Sequence, residues 1–402
     1  MKKKSEQNAP EQNPPSLGSS PLDRGASPKI AILHDAFLYR GGGERLVTLM
    51  AEALGADLVS GFFSDGSFDP RELGYTGNMI SLGKPVFMKS VRHMILKWRF
   101  ISHFWYFRKY DIVIFSGDCL EALWHIGSKT KKIYYCHTPP RYLYDFREKY
   151  LASLSSYIRP IFRLAFWFFA CLYEFHLKKF DQIYTNSENV SKRLLKYTGM
   201  NSEIVYPPTD TTFFVPTDTV SVPEIPFVQW EYYYSWARLS PPKRVDLIVD
   251  TFLDMPDRNL VFSYGRNDPM REEILAKIDT ASNIVALEAP DDSLLLRLIQ
   301  WATATIYIPI DEDFGMSPVE SMACGTPVIG VDEWWLRETI IQNKTGKLIQ
   351  IPNVQLGIQN LKRVIEGTLQ EEWEAMKNDC IVRSRDFSLD AFEKKLKSSL
   401  QL

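Results

Sequence analysis

Two glutamates with seven residues between them, Glu312 and Glu320, occupy the string EDFGMSPVESMACGTPVIG. Carboxylates placed across a turn can accept hydrogen bonds from several hydroxyls of a polyol. Ser317, Pro318 and Glu320 predict the N-cap, first and third positions of a short helix, a capping box with proline where a missing N–H costs nothing. Gly315 lets the backbone approach a ligand closely, and the free N–H groups of the first turn suit an anion such as diphosphate. The apolar run IYIPI, residues 306–310, predicts a strand whose C-terminal edge carries Glu312, the usual ligand crevice of an open parallel sheet. The plainer reading makes Glu320 a capping partner only, and Glu312 a solvated loop acid.

Other residues of chemical interest follow predicted strands. Arg238 and Lys243 lie in WARLSPPKRVDLIVDTF, around a proline-marked helix start. Cations there oppose the helix dipole, a penalty that a bound anion removes. His137 follows KKIYYC, at a carboxyl edge where a neutral imidazole could orient a hydroxyl. Gly41, Gly42 and Gly43 lie between the first strand and its helix, where backbone N–H groups could reach a phosphate; the triplet is not GxGxxG, and a flexible turn explains it equally well. Gly265, after NLVFSY, reads as a close-approach or turn residue, and Ser187 as a helix cap.

The elements that must carry these residues alternate between strand and helix. KIAILH, DIVIFS, KKIYYC, DQIYTN and SEIVYP recur between helical stretches, as do EYYYSW, RNLVFSYG, SNIVALE, ATIYIPI and TPVIGV further on. Such alternation predicts parallel sheets covered by helices, an α/β fold of two consecutive Rossmann-like units. Residues 1–28, with five prolines, predict a disordered tail; 29–207 a first domain; 208–226, dense in Pro and Thr, a linker; 227–384 a second domain; and 385–402 a final helix. With 47 Lys plus Arg against 49 Asp plus Glu, the net charge of −2 does not indicate nucleic acid as a partner. The five cysteines lack CxxC spacing, so neither a zinc site nor a disulfide framework is indicated, and a reducing cytoplasm fits. No apolar core follows the N-terminal lysines, which argues against a signal peptide.

Residues 89–109 carry six Lys or Arg and no acid. Val91, Met94, Ile95, Trp98, Ile101 and Trp105 share one face at helical spacing, which predicts a basic, aromatic helix lying on an anionic membrane surface. Residues 158–180 are a second candidate for that surface. Their apolar stretch of ten residues falls short of the roughly 20 that span a bilayer, so peripheral attachment is expected. A core-facing helix pair is the alternative.

The segment 312–320, with Phe314, Gly315 and Met316 in its loop and residues 323–328 after it, resembles the Glu-x7-Glu signature of retaining GT-B glycosyltransferases of family 4. YCHTPPRYLYD looks like the subgroup that includes bacterial O-antigen mannosyltransferases. The resemblance implies a GT-B fold, two Rossmann-like domains facing across a cleft, with the acceptor in the first, the nucleotide sugar in the second, and the final helix of 385–402 returning to pack on the first. It implies that Glu312 contacts donor hexose hydroxyls, Glu320 the ribose, His137 the donor sugar near its reacting centre, and Arg238 with Lys243 the diphosphate. The loop of Gly42 and Gly43 would line the cleft beneath the donor phosphates. No cofactor is implied beyond the nucleotide-sugar donor, GDP-mannose first and a UDP-sugar as alternative. No metal is implied, although Asp311-Glu312-Asp313 contains the Asp-x-Asp that holds one in the other major glycosyltransferase fold. The expected reaction is retaining transfer of a hexose, mannose first, to a hydroxyl of a lipid-linked glycan in cell-surface polysaccharide or glycan synthesis, on the cytoplasmic face of the membrane. The rivals are a soluble transferase acting on a small acceptor and a catalytically inactive sugar-nucleotide-binding protein.

Overall fold

The computed structural model describes residues 27–217 and 231–402. The expected tail lies outside the described residues up to position 26, and so does the linker from 218 onward. Thirteen strands are present among the described residues, in two parallel sheets. The first comprises β1 Ile30–His34, β2 Asp57–Ser60, β3 Met79–Ser81, β4 Ile112–Ser116, β5 Lys131–Cys136, β6 Gln182–Thr185 and β7 Glu203–Ile204, in the order β3-β2-β1-β4-β5-β6-β7. The second comprises β8 Tyr232–Ser235, β9 Asn259–Tyr264, β10 Ile284–Glu288, β11 Ala304–Tyr307, β12 Val328–Val331 and β13 Gly346–Ile349, in the order β10-β9-β8-β11-β12-β13. In each sheet the strand order reverses once, between β1 and β4 and between β8 and β11, and such switch points open a crevice at the carboxyl ends.

The central strands are apolar throughout because helices cover both faces. Every residue of β1, β4, β8, β11 and β12 is buried. β2, β3 and β13 escape the sequence reading. They run three or four residues each, too short to show a period, and β3 and β13 are edge strands. The expected strand 306–310 is also shifted. Pro309 has no N–H for a ladder, so β11 stops at Tyr307 and the chain leaves the sheet, Ile310 N donating to Pro242 O at 2.7 Å.

The final helix, Leu389–Leu400, belongs physically to the first sheet. Phe392, Leu396 and Leu400, four residues apart on one face, are buried with Ile30, Ile32, Leu46, Val47 and Met50. Chain from the second domain thus closes the core of the first.

The segment 89–109 forms two helices, Lys89–Ser102 and Phe104–Phe107, broken at His103. Ser102 Oγ donates back to Arg99 O at 3.2 Å, and the His103 ring also reaches that carbonyl, which bends the chain out of the first helix. The core face is Leu96, Phe100 and Phe107, while Met94, Trp98, Ile101 and Trp105 face outward. Two of the bases expected on the lipid-facing helix are engaged inward instead. Lys97 pairs with Asp118 at 2.9 Å and with the buried Glu121, and Arg99 donates to Gly61 O and Lys84 O at 2.8 Å each.

Candidate active site

The carboxyl ends of the two sheets face each other across a cavity of about 520 Å³. Its wall brings together Gly42, Gly43 and His137 from the first domain with Glu312, Phe314, Gly315, Met316 and Glu320 from the second. Residues some 270 positions apart in sequence therefore meet in one cleft.

On the second-domain side, the helix is Met316–Ala323 and its N-cap is Gly315, at φ 74°. The capping box expected at Ser317 and Glu320 does not form. A left-handed residue at 315 starts the helix two positions early, putting Ser317 and Pro318 inside the first turn and Glu320 beyond it. Pro318 still costs no bond, because N–H groups of that turn have no acceptor within the helix. Glycine is required at 315 twice over: its φ favours no side chain, and a Cβ would lie 2.9 Å from Tyr307 Cε1. Released from capping, Glu320 lines the cavity. Burial pushes its carboxyl up, opposed by Arg45 and by a hydrogen bond from Trp236.

Glu312 pairs with Lys243, and Tyr307 links the two. Lys243 donates to the Tyr307 hydroxyl at 3.2 Å, and that hydroxyl lies 3.3 Å from Glu312 Oε2. Lys243 ends a 3-10 turn, Pro241–Lys243, rather than opening the helix; Arg244 follows at φ 53° and the helix begins at Val245. Burial, then Glu312, raise the Tyr307 phenol well above its ordinary pKa, so it stays a neutral donor.

On the first-domain side, the helix Gly42–Leu54 starts at N-cap Gly41, so two helix N-termini border the same cavity. A Cβ on Gly42 would come within 3.6 Å of Met316 Sδ, and one on Gly43 within 3.9 Å of His137 Cε1. The parallel register of β1 and β4 sets His34 beside Ser116, and His137 follows β5 on the other side. Ser116 Oγ consequently bridges the rings, 3.2 Å from His34 Nδ1 and 2.6 Å from His137 Nε2. Burial, then the neighbouring His34, lower the His137 pKa to about 3, so its imidazole is neutral near pH 7.

Arg238, Lys243 and Gly265 do not line the cavity, and of the three only Lys243 contacts its wall, through Glu312 and Tyr307. The Arg238 side chain is 67% exposed and lies 3.5 Å from Asp268, whose other oxygen accepts from the backbone N–H groups of Gly265 (2.9 Å) and Leu239 (2.8 Å). That turn is locally satisfied, which is why sequence spacing alone overstated its reach. Ser187 is the N-cap of the helix Glu188–Thr198, accepting from Val190 N at 3.0 Å, and its hydroxyl also donates to Asp313 O.

Sequence reasoning missed Arg45, Asn186 and Tyr307 on the cavity wall. Arg45 lies 3.8 Å from Asp210, and its buried Nε has no hydrogen-bond partner among the described residues, which suits an incoming anion. Its only sequence signal is its place just after the glycine triplet. Both aspartates of Asp-x-Asp accept from arginines: Asp311 from Arg141 and, at 2.7 Å, from Arg193, and Asp313 from Arg193. No cluster of three or more His, Cys, Asp or Glu placed to hold a metal ion occurs among the described residues.

Residues 228–381 match the family model described as glycosyl transferases group 1. The chain is 23% identical over 372 residues to an alpha-1,3/1,6-mannosyltransferase ALG2 of Dictyostelium discoideum, covering 79% of this chain and 85% of that one. It is 23% identical over 373 residues to the Homo sapiens protein of the same description, covering 80% and 84%. Among solved structures, Anabaena Alr3699/HepE in complex with UDP and glucose superposes with a TM-score of 0.70 at 16% identity, covering 93% of this chain and 99% of that one. Sucrose-phosphate synthase from Thermosynechococcus elongatus gives 0.68 at 16% identity, covering 93% and 98%. These structural likenesses establish the fold as GT-B.

Proposed function

We propose that this chain, a GT-B glycosyltransferase, transfers a mannosyl residue from GDP-mannose to a hydroxyl of a lipid-linked glycan, with retention at the anomeric carbon. The observation that carries this reading is one cavity between two sheets, bordered by two helix N-termini and lined by Glu312, Glu320 and a neutral His137, with Lys243 paired to Glu312 behind the wall. The first-turn amides and Arg45 suit the donor diphosphate, and Lys243 is placed to exchange its bond to Glu312 for the departing phosphate. Arg238 joins them only by releasing Asp268. Glu312 accepts from donor hexose hydroxyls and Glu320 from the ribose. The acceptor oxygen attacks C1 from the face the diphosphate leaves, and a phosphate oxygen takes the acceptor proton. His137, uncharged, orients the sugar rather than moving the proton.

Mannose is supported by the mannosyltransferase relatives and by YCHTPPRYLYD, with its likeness to bacterial O-antigen mannosyltransferases. The lipid-linked acceptor is supported by exposed Met94, Trp98, Ile101 and Trp105 together with Ile161, Leu164, Trp167 and Phe168 of the helix Arg159–Leu177. Apolar exposure on this scale marks an interaction surface. The same exposed faces support peripheral attachment, which we propose to be on the cytoplasmic face; no helix among the described residues is long and apolar enough to cross a membrane.

Melting curves with GDP-mannose, UDP-sugars and ADP-sugars test the donor, because a ligand at 100 times its Kd stabilises the native state by about 2.7 kcal/mol. GDP-mannose should give the largest shift, and Glu312→Ala should abolish mannosyl transfer while circular dichroism stays unchanged. A larger shift with another nucleotide sugar would overturn the donor, and full transfer by the variant would overturn the role of Glu312.

A further inference from the structure

Resting on that reading, we infer that Arg193 and Arg141 are positioning residues that hold the Glu312 loop in its acting geometry only when the two domains are closed. Both arginines belong to the first domain, and the loop they hold belongs to the second. Arg193 lies in the helix Glu188–Thr198 with a side chain only 8% exposed. One guanidinium nitrogen meets Asp313 and Thr138 Oγ1 (2.8 Å), and the other meets Asp311 at 2.7 Å. Arg141, anchored by Asp145 at 2.6 Å, grips the other oxygen of Asp311 and, at 3.1 Å, its carbonyl. The two aspartates flank Glu312 directly in the chain. Pinning both fixes the backbone from which that carboxylate projects.

The loop needs such a hold. Asp311 sits at φ 47°, a left-handed conformation that residues with a Cβ adopt at a cost, and it is kept only where the surroundings over-determine it. Further bonds across the same seam act in the same direction. Asn189 Nδ2 donates to Glu312 O at 3.1 Å, and Glu338 of the second domain accepts from the N–H groups of Glu188 and Asn189 at 2.7 and 2.9 Å, capping the helix that carries Arg193. When the domains separate, Asp311 and Asp313 lose their cations, and the loop keeps only its bonds within the second domain, such as the Asp311 backbone to Glu333, Ile310 N to Pro242 O and Lys243 to Glu312. Assembly of the sugar-binding carboxylate is thereby coupled to closure, which keeps donor from reacting with water in an open cleft.

Full-length Arg193→Gln, Arg193→Lys, Asp313→Asn and the double variant Arg193→Gln/Asp313→Asn, assayed with GDP-mannose and by small-angle X-ray scattering with and without GDP, test this. Arg193→Gln and Asp313→Asn should each lower kcat by about 10- to 100-fold with donor KM moved less than about threefold. Their radius of gyration should increase, Arg193→Lys should fall in between, and the double variant should lose no more than the worse single one. Unchanged kcat and scattering, or losses that multiply in the double variant, would overturn the coupling. Should Arg193→Gln not fold, Asp311→Asn and Asp313→Asn probe the same contacts from the more exposed side. If the unaltered chain transfers nothing from GDP-mannose, the assigned reaction falls while scattering still judges the latch: expansion in the variants supports it, and identical compactness overturns it.

Discussion

Glu312 depends on the backbone that carries it. Gly315 is the sharpest case, since its φ of 74° and the 2.9 Å approach of Tyr307 leave no room for a methyl group. Gly315→Ala should cost about 1–3 kcal/mol, measurable by urea unfolding, and should lower transfer more than that loss of stability explains. His137 makes the second residue-scale prediction. Its pKa falls from an ordinary 6.5 to about 3, and that of His176, buried against Trp124 and repelled by Lys179, falls to about 4. Because the folded state holds these rings neutral, their contribution is whole above pH 6.5 and is lost as the unfolded chain takes up protons below it. Stability should decline from pH 6.5 toward 4, by at most about 1.4 kcal/mol per pH unit for each ring. His137→Asn should flatten that decline in melts across the same window, and an unaltered slope would contradict a neutral buried ring.

At the level of elements, the helices Lys89–Ser102 and Arg159–Leu177 present outward faces that the core does not use. Met94 is 70% exposed and Trp98 66%, so replacing both with serine should leave the melting temperature nearly unchanged, as surface changes usually do. The same double variant should lose vesicle binding by about tenfold or more in flotation with phosphatidylserine-containing liposomes. Unaltered protein that stays unbound would remove the membrane from the proposal. Lys97 and Arg99 are poor probes of this surface, because their substitution would break contacts to Asp118, Glu121 and Gly61 first. Sequence period showed a helix with an apolar face here; it carried no information on which side the rest of the chain would cover, because 3.6-residue spacing is the same for core and surface.

The whole molecule is tied together by crossings between its halves. The helix Leu389–Leu400 follows the second domain in the chain and fills the core of the first, with Thr209 N donating to Phe387 O at 2.8 Å beside the crossing. Leu396→Ala should destabilise by about 2–5 kcal/mol, and hydrogen exchange should show the loss in β1 and the helix Gly42–Leu54 as well as in the C-terminal helix. Protection lost from the C-terminal helix alone would mean that it docks without completing that core.

The sequence by itself determined what depends on neighbours in the chain. Apolar runs bounded by Gly and Pro announced most strands of two parallel sheets, and the spacing of Glu312, Gly315 and Glu320 announced a loop after a strand that borders a cavity. Tertiary structure alone decided what depends on separate segments meeting. It set Arg45 and Asn186 on the cavity wall, left Arg238 outside on Asp268, moved the helix cap from Ser317 to Gly315, and gave Asp311 and Asp313 to arginines more than a hundred residues away. The physical reason is that backbone preference is local, whereas a side chain's partner is chosen by packing and charge across the closed cleft, which no window along the chain contains.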